Sequence, residues 1–410
     1  MIIQFINRGC RNLYRFLRRL WSTIKPPILR KWQYRNTNLP MIYVPKVQNK
    51  QEYSATHVSA FNYGNAGDMV LPIVLRQLFE EKVGIGKWHN AHVYQEVDDV
   101  DVCLMNQDDC IIIGGGGLFL KDTNPNNLSG WQWSCSIHEL KKIRKPIIMF
   151  AVGYNRFRGQ EDFNPTFTEH INVFVEKAVF VGLRNHGSIE NVRRYLKSDE
   201  LTEKLCFQPC MTTLISKIYP NIASYHIKED FIAINCAFDR EEMRLFGMAD
   251  RYVGIAETVK RLSTLTRIKI YVHVENDKKI LSYLDRMDVE YDLVEFHDAI
   301  SVIQEYAKPR LVIGMRGHAQ MIPFGCHTPI LSVISHDKMQ WFLDDIHHPD
   351  WGVDFNDEKF EDKLYEKAIN IYNNYFETIR EIIKEQDLLW NVTMQNMQYI
   401  KTILNKSCKR

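Results

Sequence analysis

One rhythm governs residues 56 to 334: a short run rich in β-branched and aromatic residues, a turn, then a longer stretch with apolar residues at helical spacing. The strand-like runs include THVSAF, CIII, KPIIMFAVG, VFVGLR, DFIAINC, IKIYVHV, RLVIG and PILSVI. Between them lie helical stretches such as GDMVLPIVLRQLFEEK, PTFTEHINVFVEKA, IAETVKRLSTL and AISVIQEYA. Strands joined through helices pair in parallel, because a parallel neighbour needs a crossover that a hairpin does not supply. Runs such as CIII and PIIMFAVG show no polar alternation, so both faces of their sheet must be covered, as helices on two sides would do. The pattern predicts an α/β chain: two Rossmann-like domains facing a cleft, residues 51–220 and 221–345. The boundary falls in SKIYPNIASYHIKED, where no period is strong. Residues 346–410 read as a charged C-terminal helical region. In open parallel sheets, ligands bind beyond the C-terminal ends of the strands, so the loops at those ends carry the functional reading.

The first 50 residues stand apart. No Asp or Glu precedes Glu52, whereas RNLYRFLRRLWSTIK places Leu13, Phe16, Leu17, Leu20, Trp21 and Ile24 at helical spacing, with arginines on the other side. Such a basic amphipathic helix suits a membrane interface with anionic headgroups; docked on the protein's own body, its arginines would simply be solvated. Pro26 and Pro27 end it, and the chain to Lys50 reads as a tether. No apolar run reaches the roughly 18 residues needed to span a bilayer, and no secretory signal is evident. The 9 cysteines are scattered without a CxxC pair, which suits a reducing cytosol. The expectation is a cytoplasmic protein, peripheral at the inner face of the membrane through its N-terminal helix, with no nucleic-acid partner.

Four loops stand at strand ends. In NYGNAGDM, Gly64 and Gly67 allow a tight turn, Asp68 is placed to cap the next helix, and the backbone amides suit an anionic or hydroxylated ligand. A plain β-to-α turn also fits. In IIIGGGGLF, Gly114 to Gly117 leave no side chain between backbone and ligand, but neither GxGxxG nor GK[ST] spacing is present. In VGLRNHGS, Arg184 is either a ligand anchor or an ordinary ion-pair partner. In LVIGMRGHAQ, Arg316 and His318 follow a strand that must be buried, so either they face the cleft or the histidine is a satisfied core residue. Arginines clamp carboxylates and phosphates through paired hydrogen bonds, and a histidine moves protons near neutrality. No His/Cys/carboxylate set has metal-ligand spacing, and no GxSxG elbow occurs. Trp131, Trp133 and Tyr154 either stack on a sugar or pack in the core.

Taken in order, NYGNAGD, IIIGGGG, VGLRNHGS, LVIGMRGHAQ with TPILSV, and Lys338 in SHDK resemble the polysaccharide pyruvyl transferase family, from about Ser59 to Phe342. The resemblance implies two Rossmann-like halves of GT-B-like design, and transfer of the pyruvyl group of phosphoenolpyruvate onto two hydroxyls of a sugar in a polysaccharide precursor, lipid-linked or nucleotide-linked. A cyclic ketal forms and phosphate is released. It implies His318, Arg316 and Asp68 as catalytic residues, and Arg184, Arg316, His318 and Lys338 as the phosphoenolpyruvate site. The acceptor would lie against Asn65, Gly67, Asp68, Gly115, Gly116 and Gly117. Phosphoenolpyruvate is then a donor substrate, and neither a resident cofactor nor a metal is expected. The chain departs from the family pattern at Gly317, where a larger residue is usual, and at Gln208 and Asn185, where acids are common. A nucleotide-sugar glycosyltransferase of the same architecture and a non-catalytic sugar-binding relative are the competing readings. Release of phosphate, of nucleoside diphosphate, or of neither separates the three.

Overall fold

The computed structural model describes residues 52–61, 64–223, 227–245 and 251–407. The N-terminal amphipathic helix and tether expected from the sequence lie outside these residues. The described chain forms two parallel six-stranded sheets. The first comprises β1 (Tyr53–Ser59), β2 (Ile85–His92), β3 (Cys110–Gly114), β4 (Ile147–Val152), β5 (Phe180–Leu183) and β6 (Leu205–Phe207), in the order β2-β1-β3-β4-β5-β6. The second comprises β7 (Glu229–Asn235), β8 (Arg267–Val272), β9 (Asp292–Glu295), β10 (Pro309–Gly314), β11 (Ile330–Ile334) and β12 (Gly352–Asp354), in the order β12-β11-β10-β7-β8-β9. These are the two common doubly wound orders, and each reverses direction once: between β1 and β3, and between β7 and β10. Crevices open at such reversals, outside the C-terminal ends of the strands.

Five helices frame the cleft or tie the domains together: α1 (Ala66–Lys82), α2 (His186–Arg193), α3 (His318–Gly325), α4 (Asp337–Asp345) and α5 (Tyr375–Ser407). Helix α1 is buried on every side from Met69 to Phe79, as a helix that is apolar nearly all round must be. It is wedged between the first sheet and the second domain, where it meets α3 and the helix Ala299–Ala307. Its Val74 and Leu78 share one continuous core with Ile303 and Ile322. The second domain therefore packs directly on the helix after β1.

Helix α5 crosses back to the first domain. Gln386 Nε2 donates to the Thr213 carbonyl at 2.8 Å, Asn396 Nδ2 to the Phe207 carbonyl at 2.9 Å, and Tyr53 Oη donates to Asn405 Oδ1 at 2.6 Å. Across the cleft, Arg158 of the loop after β4 meets Asp337 at 2.6 Å and Asp354 at 3.0 Å. Strands β6 and β12, three residues each, escape sequence reading because they are too short to show a period. β12 extends the second sheet past residue 345, into the stretch assigned by sequence to the helical C-terminal region. No helix among the described residues is long and apolar enough to cross a membrane.

Candidate active site

The loops at the two reversals face each other around a cavity of about 260 Å³, lined by Asn65, Asp68, Gly116 and Gly117 from the first domain and by Arg316, Gly317, His318 and Lys338 from the second. Arg184, at the end of β5, also lines it. Expected site residues from both halves thus meet in one space. Gly67 is the contact point: a Cβ built on it would lie 2.0 Å from His318 Nδ1, so only a glycine lets the imidazole sit against the first turn of α1. Asn65 rather than Asp68 caps that helix. Its extended backbone brings Oδ1 to within 2.9 Å of the Gly67 amide, which leaves the Asp68 carboxyl to the cavity.

The glycine run divides its labour. Gly115 and Gly116 have φ of 80° and 83°, open to glycine at little cost. Gly116 and Gly117 line the cavity, whereas Gly115 lies over Leu71 of α1 and donates its amide to the Phe150 carbonyl.

Charge pairing separates the committed cations from the free ones. Arg316 is engaged by two carboxylates: its Nε and Nη2 reach Asp277 at 3.0 and 2.5 Å, and Nη2 reaches Asp239 Oδ1 at 2.7 Å. This differs from the expectation that Arg316 holds an anion alongside Arg184. Arg244 pairs with Asp239 and donates to Ser335 Oγ at 2.8 Å, and Arg240 pairs with Asp122 at 2.8 Å. Arg184 and Lys338 have no such partner among the described residues. The Arg184 guanidinium is buried over Gly153, and its Nε and Nη2 carry no hydrogen bond. Lys338 Nζ donates only to Asn155 Oδ1 across the cleft, at 2.7 Å.

The titrations follow from this arrangement. Burial, then the charges of Arg184 and Lys338, lowers His318 to about 3. Burial, then Arg184 and Arg244, holds Lys338 well below the ordinary lysine range. Burial pushes Asp68 up to about 7, against the pull of Arg316. The cavity therefore holds a neutral imidazole, a carboxyl poised near neutrality, a buried guanidinium and a lysine whose charge burial disfavours. A bound anion would stabilise both charges, since an uncompensated buried charge is costly.

The sequence model of polysaccharide pyruvyl transferase matches residues 7–338. The chain belongs to the polysaccharide pyruvyl transferase family. No curated protein sequence matches it. Among solved structures, Anabaena HepE in complex with UDP and glucose is similar at 9% identity and a TM-score of 0.51, over 86% of this chain and 100% of that one. S. aureus MnaA with UDP matches at 12% identity and a TM-score of 0.49, over 80% and 90% of the two chains. The likeness to HepE is one of fold: in this family member, two Rossmann-like domains face a cleft in the manner of GT-B enzymes.

The structure decides between readings that the sequence left open. Trp131, Trp133 and Tyr154 are at most 2% exposed. The two tryptophans pack with Phe119 and Phe174, which places them in the core rather than on a sugar. The residue between them was missed: Gln132 is 4% exposed and lines the cavity, and its side-chain amide has no hydrogen-bond partner among the described residues. Asp239, Arg244, His273 and Asn155 also line the cavity unannounced. Two of the three departures from the family pattern have structural roles. Asn185 caps α2 through Ser188 N at 2.7 Å, as an Asp would. Gln208 is fully buried and donates to Thr393 Oγ1 of α5 at 3.2 Å.

Proposed function

We propose that this transferase moves the pyruvyl group of phosphoenolpyruvate onto two hydroxyls of a sugar in a polysaccharide precursor, forming a cyclic ketal and releasing phosphate. The observation that carries the reading is the buried, unpaired Arg184 beside Lys338 and His318 in the cavity of a pyruvyl transferase family member. Phosphoenolpyruvate brings a carboxylate and a phosphate on one small enol; the Arg184 guanidinium, and Lys338 once a bound anion favours its charged form, match that pair.

The chemistry begins when a proton adds to the methylene carbon and leaves an oxocarbenium-like centre. A sugar hydroxyl attacks it, the C–O bond to phosphate breaks, and a second hydroxyl closes the ketal. Of the two hydroxyl protons, one ends on the new methyl group and one on phosphate. Asp68, half protonated near pH 7, is suited to give the first proton and take back another. His318 starts neutral and is suited to accept a hydroxyl proton once the donor's negative charge offsets Arg184 and Lys338. Arg316, held by Asp239 and Asp277, contributes fixed positive charge rather than a free fork. Gln132 offers an amide to the acceptor. Residues 1–50 are proposed to hold the enzyme at an anionic membrane face, where lipid-linked acceptors reside.

The test is phosphate release from phosphoenolpyruvate across a panel of sugars, sugar nucleotides and lipid-linked sugars. Phosphate release that depends on acceptor, with an acid-labile pyruvyl ketal in the product, is expected. Release of nucleoside diphosphate from a sugar nucleotide without consumption of phosphoenolpyruvate would overturn the reading in favour of a glycosyltransferase.

A further inference from the structure

Outside the cavity, one side-chain cluster joins the loop after α4 to helix α5. Nitrogen and carboxylate oxygen atoms of His348, Glu381 and Glu385 lie within 4.8 Å of one another. Glu381 and Glu385 are four residues apart on α5 and so share one face. The Glu385 side chain is only 4% exposed. The His348 ring lies flat on Trp351, with centroids 3.8 Å apart and planes at 11°, which fixes its orientation. Its Nδ1 turns toward Asp350, at 3.8 Å, and its Nε2 toward Glu381, at 3.9 Å. A ligating histidine has this disposition: one nitrogen to the metal, the other backed by an outer carboxylate. His347, in the left-handed region at φ 58°, reaches Glu385 Oε2 with its Nδ1 at 2.7 Å and steers that carboxylate. Lys384, 3.3 Å from Glu381 and 3.5 Å from Glu385, supplies positive charge there.

We propose that His348, Glu381 and Glu385 form a binding site for a divalent transition-metal ion of the zinc class. One imidazole and two carboxylates suit Zn²⁺ or Co²⁺, whereas Mg²⁺ and Ca²⁺ take all-oxygen sets. Tetrahedral bonds of about 2.05 Å place ligand atoms about 3.3 Å apart, so small side-chain rotations close the set while Lys384 swings to solvent. The ion would pin the loop after α4, the helix that carries Lys338, to the helix that straps the two domains together.

The experiment uses the full-length, tag-free protein stripped with chelator. Zn²⁺ is titrated by calorimetry and by the thermal unfolding midpoint, and Co²⁺ by visible absorption. One ion per chain, a higher midpoint, and a Co²⁺ spectrum without thiolate charge transfer are expected. His348→Ala and the exposed-site variant Glu381→Gln should each weaken binding at least tenfold while leaving the metal-free midpoint near that of the wild type. Lys384→Ala should leave binding equal or tighter. Absence of binding, unchanged affinity in both ligand variants, a thiolate band that reports cysteine ligation, or equal competition by Mg²⁺ would each overturn the proposal.

Discussion

Replacing Asp68 with asparagine keeps the shape of the side chain and removes its charge. Folding raises the Asp68 carboxyl from 3.8 to about 7, mainly through burial. At about 1.4 kcal/mol per tenfold change in proton affinity, holding it ionised costs the fold at most about 4 kcal/mol. The side chain is partly open to the cavity, and solvent screening reduces this to about 2 kcal/mol. A group whose proton affinity rises on folding stabilises the fold fully below its unfolded value, and loses that contribution as pH climbs through the folded one. The window therefore runs from 3.8 to about 7. Wild type and Asp68→Asn should differ little in urea unfolding at the acid end of that window. Above it, the variant should be more stable by about 2 kcal/mol, with a constant gap from there on. The same ionisation predicts that wild-type kcat falls as pH rises above neutrality, and the variant should lose turnover outright. A stability gap independent of pH, or a variant less stable than wild type in alkali, would refute the claim that Asp68 is held ionised at a cost.

Arg184→Ala should weaken phosphoenolpyruvate binding by about 2–5 kcal/mol, read as a rise in its KM or by direct calorimetry, and Arg184→Lys should not restore it, because an ammonium lacks the planar fork. Gly67→Ala drives a methyl into the position of the His318 ring; turnover should fall at least a hundredfold while circular dichroism stays native. Gln132→Ala should raise the KM for the acceptor and leave that for phosphoenolpyruvate within twofold, as steady-state kinetics with each substrate varied in turn will read. Removing residues 1–40 should abolish flotation with anionic vesicles and spare the phosphoenolpyruvate site, and added salt should weaken but not eliminate flotation of the full chain.

Strands β3, β4 and β10 were legible because residues buried on both faces leave no polar alternation to mislead. The rule that ligands gather at strand ends then selected Asp68, Gly116, Gly117, Arg184 and His318, all of which reach one cavity. What stayed hidden was pairing between distant positions. Nothing near Arg316 in the chain announces Asp239 or Asp277, so a clamped arginine reads the same as a free one. Trp131 and Trp133 carry no sequence mark that separates a core aromatic from a stacking platform; the aromatic cluster around Phe174 decides it. Gln132, a polar residue between two core tryptophans, looks in sequence like a break in the pattern. Here the core packing of its neighbours presents it to the cavity.

The bond between Tyr53 and Asn405 joins the start of β1 to the end of α5, and β1 runs seven residues from there toward the cavity. At about 3.3 Å per residue, that strand spans roughly 23 Å between the bond and the loop that leads to Asp68. The strap formed by α5 therefore terminates on the first domain at the end of the sheet opposite the cavity.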